Sequence, residues 1–220
     1  MPSWEELHWN NPVNFIKGDF MDWFEYEKLA KENGYNIICG IDEAGRGPLI
    51  GPVYAAAVIL PIDVDIDGIN DSKKLTEKKR ELLFDIICEK AIAYGIGFAT
   101  AKEIDEINIL QATYLAMSRA YDNLGIVADW VLVDGNRMPP LPTKGETIVK
   151  GDAKSASIAA ASILAKVSRD RVLNELDIQY PEYGFIKNKG YGTKVHYAAI
   201  KEHGILDEHR LSFLKNLSEK

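Results

Sequence analysis

The stretch from Gly40 to Gly51, GIDEAGRGPLIG, limits what this chain can fold into more than any other. An apolar run from Asn36 to Ile41 precedes it and reads as a buried strand. Two carboxylates, Asp42 and Glu43, follow where that strand is expected to stop, and glycines at 45, 47 and 51 surround or follow Arg46. Neighbouring strand residues point to opposite faces, so Asp42 and Glu43 converge only if the backbone leaves strand geometry between or just after them. Glycines permit that break and let the main chain approach a ligand, because no Cβ intervenes. Carboxylates at a strand end beside exposed amides point to metal and phosphate chemistry.

The remaining pattern alternates strands and helices. Asp19 is a candidate N-cap for a helix ending at Asn33-Gly34, and Val53 to Leu60 reads as a strand antiparallel to the first. Thr76 caps a helix expected over Glu77 to Lys90, with Leu82, Leu83, Ile86 and Ile87 as its buried stripe. A strand over Ile92 to Thr100 and a helix over Glu103 to Leu124 follow, the helix carrying Ile107, Leu110, Tyr114, Leu115, Met117 and Tyr121. Trp130 to Val133 is a short strand ending at Asp134, and Glu146 to Lys150 an edge strand ending at Gly151-Asp152. Ala153 to Gln179 and Lys194 to His203 complete the helices. The expected fold is α/β, a mixed sheet with helices on both faces and a C-terminal helical segment. Residues 1–35 read as an N-terminal arm and helix, and 36–220 as one catalytic domain.

Composition excludes several classes. With 46% hydrophobic and 27% charged residues, the chain is neither disordered nor fibrous. The longest apolar runs fall far short of the roughly 18 residues a membrane span needs. The N-terminus lacks the pattern of a secretory signal, and Cys39 and Cys88 read as reduced core thiols, so a cytoplasmic protein is expected. The net charge of −7 argues against a nucleic-acid partner until its distribution is considered. Residues 1–36 hold seven acids against three bases, whereas Asp71 to Arg80 carries five bases against two acids. A local basic surface is enough to hold a phosphate backbone.

Asp42 with Glu43, Asp134 and Asp152 share one context, each at or just after the end of a short apolar strand. Strands about 4.8 Å apart would gather those ends, and four carboxylates there repel one another unless cations intervene. Two ions of the Mg²⁺ or Mn²⁺ class suit hard oxygen ligands, and about 3.5–4 Å between them would clamp both oxygens of a phosphodiester displacement. Tyr191, held in Gly190-Tyr191-Gly192 near Lys187 and Lys189, can stack on a base or sugar, or anchor the loop to the core. His196 and His203 read as helix-surface residues, and His209 beside Arg210 as a residue near the mouth of a site.

These motifs have a family resemblance. GIDEAGRGPLIGPV, NDSKKLTEKKR, EIDEINILQATYLAM, VLVDGN, IVKGDAKSASIAAASILAKVSRDR and YGFIKNKGYGTK, in that order, resemble ribonuclease HII from about Ile38 to His203. The resemblance implies a ribonuclease H-like fold. It also implies an endonuclease that cuts the RNA strand of RNA–DNA hybrids and single ribonucleotides embedded in DNA, leaving 5′-phosphate and 3′-hydroxyl ends. It assigns metal binding and catalysis to Asp42, Glu43, Asp134 and Asp152, with two Mg²⁺ or Mn²⁺ ions. It assigns 2′-hydroxyl reading to Gly45, Arg46 and Gly47, a sugar contact to Tyr191 and phosphate support to Ser72 and Lys73, with Lys154 and Lys166 as more distant helpers. A monomer without an organic cofactor is expected. The chain departs from the family pattern in GILDEHRLSFL, 204–214, which leaves the roles of His209 and Arg210 open.

Overall fold

The computed structural model describes residues 22–69 and 75–214. The Asp19 cap, Ser72 and Lys73 lie outside the described residues. Five strands, β1 (Ile38–Ala44), β2 (Val53–Ile59), β3 (Ala93–Ala99), β4 (Trp130–Asp134) and β5 (Gly145–Ile148), form one mixed sheet in the order β3-β2-β1-β4-β5. β1 runs antiparallel to β2 and parallel to β4, while β2–β3 is antiparallel and β4–β5 parallel. Helices cover both faces, as the pattern predicts.

Alternation along the strands sorts those faces. Cys39, Ile41, Val53, Ala55, Ala57, Val131 and Val133 meet α3 (Ala101–Asp122) in one core. Ala56 and Val58 on the other face pack with Leu83 and Ile87 of α2 (Glu77–Lys90) and with Ala159, Ala160, Ile163 and Leu164 of α4 (Ala156–Gln179). α2 begins where expected, with the Thr76 side chain accepting from the Lys79 amide, but Leu82 of its expected stripe is largely exposed.

α3 differs from expectation in two ways. It turns Ala112, Ala116 and Ala120 to the sheet, with Ile104 and Met117, while Ile107 stays partly exposed. The reason lies in β3: a Cβ on Gly97 would press on the backbone of Ala116 and Ala120, so the helix sits too close for larger side chains. The helix also breaks at Asn108 (φ 66°, ψ 164°), whose Oδ1 accepts from the Leu110 and Gln111 amides and caps the second half. A long apolar periodicity hides such a break, because each half keeps its own face.

At the site end of the sheet, α4 approaches β1 so closely that a Cβ on Gly40 would overlap the main chain of Ser157 and Ile158. This contact seats the first turn of α4 against Gly40, two residues before Asp42 on β1. The amides of its first turn are each satisfied: Ala156 N donates to the Trp23 carbonyl, Ser157 N to Glu27 Oε1 and Ile158 N to Ser155 Oγ. Glu27 belongs to α1 (Glu25–Glu32), is buried, and also accepts from Ser155 Oγ at 2.7 Å. A short C-terminal lobe, α5 (Phe185–Asn188) and α6 (Lys194–His203), packs Tyr183, Phe185, Ile200 and Leu214 against Leu49, Ile50 and Leu173.

Burial pushes the Glu27 carboxyl above the usual range, so stability is greatest while it is protonated and falls as rising pH forces it to ionise. Glu27→Gln should therefore retain wild-type stability at neutral pH or exceed it, whereas Glu27→Ala should cost about 1–3 kcal/mol by stranding the Ser157 amide and Ser155 hydroxyl. Urea denaturation at neutral pH checks both.

Candidate active site

β1 does not stop at Ile41. Asp42, Glu43 and Ala44 continue its ladder, opposite Ala56, Ala55 and Tyr54 of β2. The small side chains of β2 leave room for the strand to stay regular, and the break comes just after, at Gly45 with φ +97°. Of the two geometries that allow Asp42 and Glu43 to converge, the chain takes the second. Asp42 lies on the α4 face, Asp134 ends β4 one position beyond the Ile41–Val133 pair, and both lie toward the same end of these parallel neighbouring strands.

Asp42 is buried, with Oδ1 accepting from the Glu43 amide at 2.7 Å and Ser162 of α4 in hydrogen-bond contact with its carboxyl. Burial, then the nearby Glu43 and Asp134 charges, push it well above the usual carboxylate range. Glu43 is also raised, by burial foremost and by Asp134, although the Arg46 guanidinium at 3.1 Å opposes this. Asp134 Oδ1 accepts from the Gly151 amide at 2.6 Å. Gly151 opens the single turn Gly151–Ala153, which carries the buried Asp152. That turn replaces the expected end of an edge strand: β5 stops at Ile148, and Lys150 takes φ 58° to start it.

The structure thus brings Asp42, Glu43 and Asp134 within electrostatic reach of one another and seats Asp152 beside the anchor of Asp134. Among the described residues, no three carboxylate, imidazole or thiolate groups already converge as a metal cage. The donor set nonetheless fits a hard divalent cation: all are carboxylates, and those with raised pKa are held against mutual repulsion that a cation would relieve.

A cleft of about 350 Å³ opens next to Glu43, lined by Gly45, Arg80, Ser162, Lys166, Arg169 and Tyr191. Ser162, Lys166 and Arg169 stand at i, i+4 and i+7 of α4, a helical stripe of polar side chains facing the site. Of the three, only Lys166 was singled out from the sequence; the i, i+4, i+7 spacing is the signal that would have added Ser162 and Arg169. Lys166 pairs with Asp170 at 2.5 Å.

The glycine loop is held from beneath by two buried arginines. Arg210 donates to the carbonyls of Gly45, Arg46, Pro48 and Gly51 at 2.7–3.1 Å. Burial, with Arg169 alongside, pushes Arg210 down to about 9, which leaves it a cation at neutral pH. Arg169 reaches the Ile50 and Lys189 carbonyls, and a Cβ on Gly45 would overlap its side chain. Tyr191, half exposed, presses its ring on Gly47, where an added Cβ would lie 3.2 Å from Cε1. Arg46 points outward and Gly47 is exposed, so Gly45, Arg46, Gly47 and Tyr191 form one rim of the cleft.

Two histidines depart from expectation. His196 is fully buried rather than on the helix surface, and His209 is buried behind the loop rather than at the mouth of the site. Their Nε2 atoms lie 3.1 Å apart. α6 turns this face inward because Tyr183 and Phe185 pack against both rings.

A family model described as ribonuclease HII matches residues 39–216, most of the chain. The chain belongs to the ribonuclease HII family. A ribonuclease HII of Acetivibrio thermocellus is 58% identical over 197 residues, covering 90% of this chain and 77% of that protein. One of Aliivibrio fischeri is 56% identical over 190 residues, covering 86% and 89%. Among solved structures, ribonuclease H2 from Pyrococcus horikoshii superposes with a TM-score of 0.70 at 29% identity, covering 84% of this chain and 98% of that one. Ribonuclease HII membership makes the chain an endoribonuclease of the ribonuclease H type, acting on RNA–DNA hybrids. No helix among the described residues is long and apolar enough to cross a membrane.

Burial lowers the pKa of both histidines, His209 to about 4. Their neutral pairing therefore contributes fully above the unfolded value near 6.5 and is lost as pH falls through that value toward about 4. Urea midpoints should drop across this window, and His209→Gln should make the drop shallower.

Proposed function

We propose that this member of the family cuts duplex DNA at single embedded ribonucleotides as well as RNA–DNA hybrids, using Asp42, Glu43, Asp134 and Asp152 as its catalytic, metal-holding set. The observation that carries the reading is the raised carboxylate cluster directly beside a rim of close-approach backbone. A group that distinguishes RNA from DNA, the 2′-hydroxyl, can therefore be sensed next to the chemistry.

Gly45, Arg46 and Gly47 present main-chain groups to the sugar, and Tyr191 packs its ring on the neighbouring one. The carbonyls of Gly45 and Arg46 are already engaged by Arg210, so this rim keeps its shape when substrate arrives and little ordering is left to be done. Lys166 and Arg80 line the cleft as cations for the phosphate backbone, and the phosphate support that the resemblance assigns to Ser72 and Lys73 belongs to the same reading. Arg46, paired with Glu43 at 3.1 Å, would be freed toward the substrate once cations satisfied that carboxylate.

Asp42, Glu43, Asp134 and Asp152 would hold two divalent cations of the Mg²⁺ or Mn²⁺ class, which when bound would supply the charge to activate water and stabilise the leaving oxygen. Water oxygen joins phosphorus, the bond from phosphorus to the 3′-oxygen breaks, and a proton passes to that oxygen. The products are a 5′-phosphate and a 3′-hydroxyl. The carboxylates position the reacting groups, and the fixed dipoles of the loop need no reorganisation.

Asp42→Asn and Asp134→Asn should each reduce cleavage of a duplex with one ribonucleotide by ~10³-fold or more, since the lost group acts on the transition state. Near-normal cutting by either purified variant would sink the assignment. Replacing the single 2′-hydroxyl by hydrogen should abolish cutting by the wild type. Without metal, Asp42→Asn should melt higher than wild type because a buried repulsion is gone, while Mg²⁺ should raise the melting temperature of wild type more than that of the variant.

A further inference from the structure

Behind the glycine rim the buried histidines form a chain with a fixed proton order. The Leu206 amide can only donate, and it lies 2.9 Å from His209 Nδ1, which therefore accepts. The proton of neutral His209 is then on Nε2, and it points at His196 Nε2, 3.1 Å away. His196 must accept there, so its own proton sits on Nδ1, 3.0 Å from the Tyr191 carbonyl. The direction of every hydrogen bond follows from the first donor.

The chain ends on the residue that lines the cleft. The Tyr191 carbonyl takes the His196 proton and also the Thr193 amide at 2.8 Å. One residue earlier, the Gly190 carbonyl accepts from the Leu49 amide, inside the glycine loop. At the other end, His209 pairs with Ile50 in a β-bridge, and Arg210 begins its grip on the loop carbonyls. Tyr183 and Phe185 wall off both imidazoles, so water does not compete for these bonds.

We propose that the His209–His196 pair is a positioning element for Tyr191, fixing its height over Gly47 and hence the width of the rim that receives the ribonucleotide sugar. This rests on the ribonuclease reading of the site. Neither histidine touches substrate; both act through the Tyr191 main chain. A plain structural role, in which His209 serves only to cap the Leu206 turn, is the competing account.

Amide side chains separate the two accounts, because asparagine places its polar atoms near the imidazole Nδ1 position and glutamine near Nε2. His209→Asn keeps the acceptor for Leu206 and loses the link to His196, and His209→Gln does the reverse. Steady-state cleavage of a duplex bearing one ribonucleotide should show His209→Asn losing about tenfold in kcat/KM, mostly through KM, with His209→Gln within about threefold of wild type. In a Tyr191→Ala background the His209→Asn loss should shrink to about twofold or less, since the two changes share one path.

The reverse order of the two variants, equal losses, or a His209→Asn loss that persists without the tyrosine ring would overturn the proposal. Hydrogen exchange on the free protein provides a readout that needs neither substrate nor activity. The Thr193 and Leu49 amides should lose protection in His209→Asn and keep it in His209→Gln, and unchanged protection in both would also overturn it. If wild type fails to cut the duplex, the ribonuclease reading falls, and exchange alone decides the positioning claim.

Discussion

Carboxylates that repel one another must be held in place by something other than their own attractions, and much of this fold serves that constraint. Asp42 and Glu43 are fixed by a strand whose ladder runs past them to Ala44. Asp134 is fixed by the Gly151 amide, on the turn that carries Asp152. α4 closes the arrangement from one side, and it comes near enough only because position 40 has no side chain. Each anchor is main chain or a buried bond, so the carboxyl groups stay gathered although their charges repel.

The same economy shapes the rim of the cleft. A loop with glycines at 45, 47 and 51 is entropically costly to order, and packing alone cannot order it because it has few side chains to pack. Arg210 solves this with one planar cation that reaches four carbonyls, and a guanidinium is suited to it because its five donors spread as a rigid fork. Lysine, a single point of charge, could not span Gly45 to Gly51.

How much of this was legible in the sequence depends on the range of the interaction. Local signals were read well: Thr76 as a cap, the antiparallel β1–β2 pair and Asp134 at the end of β4 follow from neighbours in the chain, whereas Asp42 and Glu43 lie within β1 and Asp152 sits on a turn rather than a strand end. The extent of β1 was misjudged because charged residues seldom continue a buried strand, and only the small residues of β2 opposite them make it possible. The break at Asn108 was hidden by an uninterrupted apolar period. His196 was read as exposed because helix α6 is short and its inward face is set by Tyr183 and Phe185, which periodicity does not reveal. Arg210 could not be understood alone; its partners lie about 160 residues earlier. The family resemblance named the candidate positions, while the geometry explains why a buried arginine in the divergent C-terminal segment belongs beside them.

The long reach of Arg210 has a consequence for synthesis. The carboxylates, glycine loop and α4 are all made before residue 180, yet the loop carbonyls find their cation only after residue 210 has emerged. Until then those carbonyls face water and the rim is slack. A nascent chain can build its sheet early, but the rim of the cleft is braced only once residue 210 has been made, so the carboxylate cluster is assembled before the loop beside it is held.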